Sequence, residues 1–265
     1  RKIQNPGLFF ALPGSHTDGN RFIRDAIAHG AVAIISELQP PPLPMTLLSL
    51  NSNHSITWIQ VHDICRSMGK VASNFYDDPS KYLTLVGITG TNGKTTTSYF
   101  LDSIFRAAGN KTGIIGTIEH RGPEFKEEAV NTTPYSLDVI RLLDTIRKQG
   151  ATFVGMEVSS HSLATKRVEE IHFDAAIFTN FQSDHLDFHK SREEYFNAKM
   201  HLFELLQQGQ NIKTARKAIL NCDDESLLRI RRRALDINIV SYGTQKEADY
   251  RASAITPAQE GCSFL

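Results

Sequence analysis

The sequence predicts an α/β fold in two parts: a small α/β domain over about 1–80 and a larger domain over 81–265 built on a mainly parallel sheet. Three observations predict it. From residue 82 onward short apolar runs alternate with helical patterns, as in a parallel sheet with helices on both faces. A Gly-rich turn joins the apolar run Tyr82 to Ile88 to a helical pattern that runs from about Thr95 to Ala108. Asp77-Asp78-Pro79-Ser80 is a polar, turn-forming stretch between the two parts.

In the first part, residues 7–12 read as a buried strand and 13–20 as a loop. Phe22, Ile23, Ala26 and Ile27 have helical spacing, with Gly30 just past the helix end. Ala31 to Ile35 and Trp58 to Val61 read as strands, separated by Pro40, Pro41, Pro42 and Pro44, which break regular structure. Asp63 caps a helix to about Tyr76.

In the second part, Gly109 ends the first helix and Thr112 to Ile118 is a strand. The polar stretch 119–130 reads as a loop. Thr133 is expected as an N-cap with Pro134 in the first turn. Leu137, Ile140, Leu143 and Ile146 form that helix's apolar stripe, closed by Gly150. Residues 153–158 and 175–178 are strands, Ser191 to Glu194 is a capping box opening a helix to about Leu206, and 218–220 and 237–241 complete the strands. Ligands of such a sheet collect at the carboxyl ends of its strands.

Composition narrows the function. The 265 residues contain 29 basic and 29 acidic side chains, so no basic excess points to nucleic acid. No apolar run reaches the roughly 18 residues of a membrane span. Cys65, Cys222 and Cys262 are odd in number and far apart, which fits neither a disulfide framework nor a zinc site and suits a reducing compartment.

The chemistry-bearing stretch is Gly87-Ile88-Thr89-Gly90-Thr91-Asn92-Gly93-Lys94-Thr95-Thr96. Its glycines let backbone N–H groups converge on a phosphate, the helix N-terminus adds partial positive charge, Lys94 reaches the outer phosphates and Thr95 suits Mg²⁺. The general pattern wants its first glycine at 88, where this chain has Ile, with Gly87 one place early. Glu157 lies at the end of a buried strand, where a carboxylate needs a cation; Mg²⁺ or a basic side chain would serve. Asp184, His185, Asp187 and His189 follow another strand end and are either divalent-metal ligands or a solvated acidic loop. Lys199 shares an otherwise apolar helix face with Tyr195, Leu202 and Phe203, so it must snorkel, pair or lose its charge, and chemistry alone favours snorkelling. Arg167 either faces an acidic substrate or sits on the surface.

Together with Asn131-Thr132-Thr133-Pro134, Met156-Glu157-Val158-Ser159-Ser160-His161, the run from Thr179 to His189 and Tyr195-Phe196-Asn197-Ala198-Lys199, the loop resembles the Mur ligase family, most of all its MurE type. The early glycine is the form the loop takes in that family. The resemblance implies a P-loop ATPase central domain with ATP on Gly90, Thr91, Asn92, Gly93, Lys94, Thr95 and Thr96. It implies an ATP-dependent ligase that adds meso-diaminopimelate or L-lysine to UDP-N-acetylmuramoyl-L-alanyl-D-glutamate through an acyl phosphate, in peptidoglycan synthesis. Lys94, Glu157, His185 and Lys199 would be catalytic; Thr95, Glu157 and His185 would serve two Mg²⁺ ions. Lys199 would be carbamylated, which reverses the expectation from chemistry alone. Ser15, His16, Thr132, Thr133, Ser159 and Arg167 would hold the UDP-muramoyl-dipeptide, and Thr165 stands where such proteins often have Gln. The family's amino-acid-binding C-terminal domain is expected to be missing, leaving a fragment inactive by itself. A cytoplasmic monomer is expected. The alternatives are a Mur-like ligase of folylpolyglutamate synthase type, a small-molecule kinase and a catalytically incomplete nucleotide-binding scaffold.

Overall fold

A computed structural model describes residues 5–14, 17–40, 56–182, 184, 187–233, 236–244, 247–259 and 261–265. The chain divides into two compact units, Arg1–Val71 and Ala72–Leu265.

In the smaller unit β1 (Gly7–Phe10), β2 (Ala31–Ser36) and β3 (Thr57–Gln60) form a parallel sheet in that order. Helix α1 (Ile23–Ala28) puts Ile23, Ala26 and Ile27 on Ile34 and Ile35 of β2, as its spacing predicts. Helix α2 (Ile64–Phe75) is capped by Asp63, whose carboxylate accepts the Arg66 N–H at 2.9 Å. The division at 71/72 falls within α2 rather than at 77–80, because Ala72 and Tyr76 belong to the larger unit's core. The 77–80 turn is itself fixed. Asp77 and Asp78 both have positive φ, and Asp78 contacts His172 at 3.0 Å and Lys81 at 3.1 Å.

Among the described residues the larger unit is built on a nine-stranded sheet. Its strands are β4 (Thr84–Thr89), β5 (Thr112–Ile115), β6 (Glu119–Arg121), β7 (Lys126–Glu128), β8 (Phe153–Glu157), β9 (Ala175–Phe178), β10 (Lys217–Asn221), β11 (Asn238–Gly243) and β12 (Tyr250–Arg251), in the order β12-β11-β10-β9-β4-β8-β5-β6-β7. All pairs from β12 to β5 are parallel; β6 and β7 add antiparallel. Strands β13 (Thr256–Ala258) and β14 (Gly261–Ser263) form a separate hairpin. The helices are α3 (Lys94–Ala107), α4 (Ser136–Lys148), α5 (Ser160–Ala164), α6 (Arg192–Gln208) and α7 (Leu227–Arg232).

One face of this sheet buries the stripe Val139, Ile140, Leu143 and Ile146 of α4 and Phe196, Met200, Phe203 and Leu206 of α6. The other packs Val86, Ile88, Phe153 and Ile177 against Leu101 and Phe105 of α3. Each such buried side chain contributes about 1.5–3 kcal/mol. The chain leaves β4 for β5 on one side, returns to β8 beside β4, then crosses to β9 on the other side. This switch point opens a crevice at the carboxyl end of β4.

Two expectations are corrected. Residues 119–130 contain β6 and β7 rather than only loop; the Lys126–Glu119 pair (2.7 Å) and the Arg121–Asp102 pair (2.7 Å) hold this charged ribbon where apolar alternation is missing. Thr133 does not cap α4: the cap is Tyr135 and the helix starts at Ser136. The Thr133 hydroxyl is engaged elsewhere, donating to the Glu157 carbonyl at 2.8 Å and accepting the Ser159 N–H at 3.1 Å.

Candidate active site

The loop between β4 and α3 is shaped by Gly90 (φ +143°) and Gly93 (φ +83°), the latter the N-cap of α3. A Cβ on Gly90 would lie 1.9 Å from the Thr179 hydroxyl, so only glycine fits. Lys94 folds back over the loop, and its Nζ donates to the carbonyls of Gly90 and Thr91, both at 2.9 Å. Burial lowers its pKa from the ordinary lysine value, opposed by the charges of Glu157 and Asp184.

On the β8 side stands Glu157, only 1% exposed. Its Oε2 accepts from the Thr95 hydroxyl (2.9 Å) and the Thr117 hydroxyl (2.9 Å), and its Oε1 from the Thr117 N–H (3.0 Å). Thr117 follows β5, and its hydroxyl lies 3.1 Å from that of Thr132. Thr133 is joined to β8 and to Ser159, whose hydroxyl caps α5 by accepting the Ser162 N–H at 3.1 Å. The Arg167 guanidinium reaches the same corner. It donates to the Thr133 carbonyl and the Thr165 hydroxyl, each at 3.0 Å, and lies 4.2 Å from the Tyr135 ring centroid. Arg167 is thus directed inward rather than lost on the surface, and Thr165 fixes its direction.

On the β9 side the segment 179–182 grips the loop. Thr91 N–H donates to the Asn180 carbonyl (2.9 Å), Asn92 N–H to Asn180 Oδ1 (2.9 Å) and Gln182 N–H to the Thr91 hydroxyl (2.9 Å). The Asn92 carbonyl accepts from the Thr179 hydroxyl (2.6 Å) and Asn180 Nδ2 (3.1 Å). Helix α6 starts at Ser191, whose hydroxyl accepts the Glu194 N–H (3.1 Å), as its capping pattern predicts. That start directs Lys199 inward. Lys199 is 1% exposed and does not snorkel; its Nζ donates to the Gly90 carbonyl at 2.8 Å, the same oxygen Lys94 uses. It also lies 4.3 Å from the centroid of the Tyr195 ring. Burial, then the neighbouring Lys94 charge, lowers its pKa from 10.5 to about 7.

The predicted residues Lys94, Thr95, Glu157, Lys199, Thr132, Thr133, Ser159 and Arg167 therefore gather at the carboxyl ends of β4, β8 and β9. Ser15, His16 and His185 lie outside the described residues. His189 is fully buried among the rings of Phe188, Tyr195 and His161. Among the described residues no three His, Cys, Asp or Glu side chains form a metal-binding group. Sequence reasoning missed Thr117 and the gripping role of Asn180 and Gln182. Asn180 and Gln182 carried a signal of position, just past the predicted strand 175–178; Thr117 carried none, because the predicted strand 112–118 runs through it whereas the structure ends that strand at Ile115.

The family described as Mur ligase middle domain matches residues 88–265. The UDP-N-acetylmuramoyl-L-alanyl-D-glutamate–2,6-diaminopimelate ligase of Solibacter usitatus is 45% identical over 265 residues, which is 100% of this chain and 50% of that protein. The protein of the same description from Geobacter metallireducens is 38% identical over 263 residues, 99% of this chain and 49% of its own length. A solved structure of such a ligase aligns with a TM-score of 0.78 at 27% identity, covering 99% of this chain and 51% of that one. The chain spans about half the length of the curated relatives it matches. With the family match covering most of its residues and the phosphate loop, Glu157 and Lys199 assembled at one switch point, the chain belongs to the Mur ligase family.

Proposed function

We propose that this chain carries the nucleotide and acceptor sites of a cytoplasmic ATP-dependent ligase of peptidoglycan synthesis, which joins 2,6-diaminopimelate to UDP-N-acetylmuramoyl-L-alanyl-D-glutamate. The carrying observation is that one buried carboxylate, Glu157, meets both the phosphate loop through Thr95 and, through Thr117, the loop of Thr132 and Thr133. The choice of diaminopimelate rests on the relatives, each of which carries that amino acid in its description.

In this reading the ATP phosphates lie against the N–H groups of the loop and the N-terminus of α3. Lys94 leaves its two carbonyls to neutralise charge on the transferred phosphoryl group. Arg167 and the hydroxyls of Thr132 and Ser159 hold the muramoyl peptide so that its D-glutamyl carboxylate attacks the γ-phosphorus, the bond to the β,γ-bridging oxygen breaks and ADP leaves. The acyl phosphate then meets the amine, and phosphate leaves the tetrahedral intermediate. Ser15 and His16 belong to the UDP end of the same substrate.

Mg²⁺ fits the residues present. Glu157 is a buried anion whose hydrogen-bond donors are uncharged, beside a threonine hydroxyl at a phosphate loop. Hard oxygen donors without a full protein cage suit Mg²⁺, which keeps waters and phosphate oxygens in its shell. Thr95, Glu157 and His185 would hold the two ions, and bound there they would offset phosphate charge. Lys199 completes the reading. At its lowered pKa a large share of its amine is uncharged near neutrality. Attack on CO₂ forms an N–C bond and releases one proton, leaving a carbamate anion in place of the buried cation.

The test uses the full-length gene product with ATP, Mg²⁺ and the UDP-muramoyl-dipeptide. ADP formation should require diaminopimelate, and hydroxylamine should trap the acyl phosphate as a hydroxamate. A stable phosphorylated product with no amine dependence would make the protein a kinase. Turnover with a folate substrate instead would favour the folylpolyglutamate type.

A further inference from the structure

The turn after β5 fits closely around one carboxylate. Gly116 backs onto it: a Cβ there would lie 2.3 Å from Glu157 Oε1. Among the described residues, Thr117, the next residue, makes two of the three hydrogen bonds on that carboxylate, one from its N–H and one from its hydroxyl, to different oxygens. Two donors from one residue to both oxygens define the plane of the group, which the single bond from Thr95 cannot do. A hydroxyl has one proton. That of Thr117 is placed to go to Glu157 Oε2, at 2.9 Å, or to the Thr132 hydroxyl, at 3.1 Å, so Thr117 stands between the two groups. The side chains of Thr132, Thr117, Glu157 and Thr95 form a continuous chain from the acceptor loop to the phosphate loop. Thr117 itself is solvent-exposed, so packing does not account for it.

We propose that Thr117 is a positioning residue, which fixes the plane of the Glu157 carboxylate for a divalent cation and links the acceptor loop to the phosphate loop. The cation clause rests on the nucleotide reading above; the carboxylate clause does not.

Two variants of this chain test it, Thr117→Val, which keeps the shape and the N–H but removes the hydroxyl, and Thr117→Ser, which restores the hydroxyl. The probe is fluorescence of N-methylanthraniloyl-ADP, titrated with MgCl₂ and repeated in EDTA. Thr117→Val should raise the half-saturating Mg²⁺ concentration about tenfold, the effect of one hydrogen bond to a charged group. Its affinity in EDTA should stay within about twofold of wild type, and Thr117→Ser should recover to within about threefold. A wild-type Mg²⁺ curve for Thr117→Val, an equal loss in EDTA, or no rescue by serine would overturn the proposal. The second measurement needs no nucleotide. A crystal structure of ligand-free Thr117→Val should show the Glu157 carboxylate rotated from its wild-type plane, and an unmoved carboxylate would overturn the positioning role. Should wild type show no Mg²⁺-dependent binding, the nucleotide reading and the cation clause fall together, and the crystal structures decide the carboxylate clause.

Discussion

The phosphate loop is held in different ways on its two sides. Toward β9 it is fastened by backbone and amide groups: Thr91 and Asn92 exchange hydrogen bonds with Thr179, Asn180 and Gln182, and two lysines converge on the Gly90 carbonyl. Toward β8 Thr95 meets a buried carboxylate, Glu157, held by hydroxyls. Bonds of the first kind fix conformation, because each donor there has its acceptor within the chain. An anion under hydroxyl donors beside a helix N-terminus is a place where ligands can replace internal partners. The 179–182 segment on the β9 side therefore sets the loop's shape, the β8 side offers the cation site, and the two lysines on Gly90 belong to both shape and proposed chemistry.

The largest effect should come from the β9 side. Gly90→Ala places a Cβ within 1.9 Å of the Thr179 hydroxyl at a φ that side chains rarely adopt. Strain and overpacking together should cost about 3 kcal/mol in urea unfolding. Nucleotide binding should disappear with and without Mg²⁺. A stable Gly90→Ala protein with intact binding would mean the grip does not define the loop. Glu157→Gln should do the opposite. It keeps the shape, so its urea midpoint should stay near wild type. The strengthening of nucleotide binding by Mg²⁺ should fall about a hundredfold, as expected when a cation loses its carboxylate. An equal fall in EDTA would place Glu157 among the shape-setting groups.

The two sides were not equally legible in the sequence. The glycines, Lys94 and Thr95 are local signals within ten residues, and Glu157 stands out as a charge ending an apolar strand. The Ser191 cap and the α4 stripe follow from helical spacing. The β9 grip carries no such period. Thr179, Asn180 and Gln182 are ordinary strand-end polar residues, and their partners lie about ninety positions away. Thr117 was hidden for the same reason, forty positions from Glu157. Lys199 was half legible: the apolar face showed that the side chain had a problem, but only the fold shows that its Nζ ends on Gly90. The β6–β7 ribbon escaped because cross-strand charge pairs replace its apolar alternation.

Lys199 gives a smaller effect with a definite sign. Its folded-state pKa is about 7 and its ordinary value 10.5. Below about 7 it is charged in both states and the burial cost is present in full. Between the two values the unfolded chain holds the proton and the folded chain does not, so stability rises with pH. Lys199→Met removes this slope. In CO₂-free buffer near pH 6 the variant should be more stable than wild type by about 2 kcal/mol, with the gap closing toward pH 10. Bicarbonate near pH 8 should stabilise wild type alone if the carbamate forms. Parallel pH profiles would mean that Lys199 is not held as a costly buried charge.

The smallest effect tests the partition most finely. Asn180→Ala deletes two hydrogen bonds to the Asn92 backbone but leaves Thr91 N–H on the Asn180 carbonyl and the Thr179 hydroxyl on Asn92. These bonds lie at an exposed edge, so the loss should be about 1 kcal/mol in urea unfolding. Amide exchange at Asn92 should quicken, because its N–H then depends on solvent. Nucleotide affinity should fall about threefold, equally in Mg²⁺ and in EDTA, since the variant loosens shape without touching Glu157. The equality is the decisive part. A loss confined to Mg²⁺ conditions would show that the β9 grip acts on the cation site, and the assignment of shape to the 179–182 segment and of the cation site to the β8 side would fail.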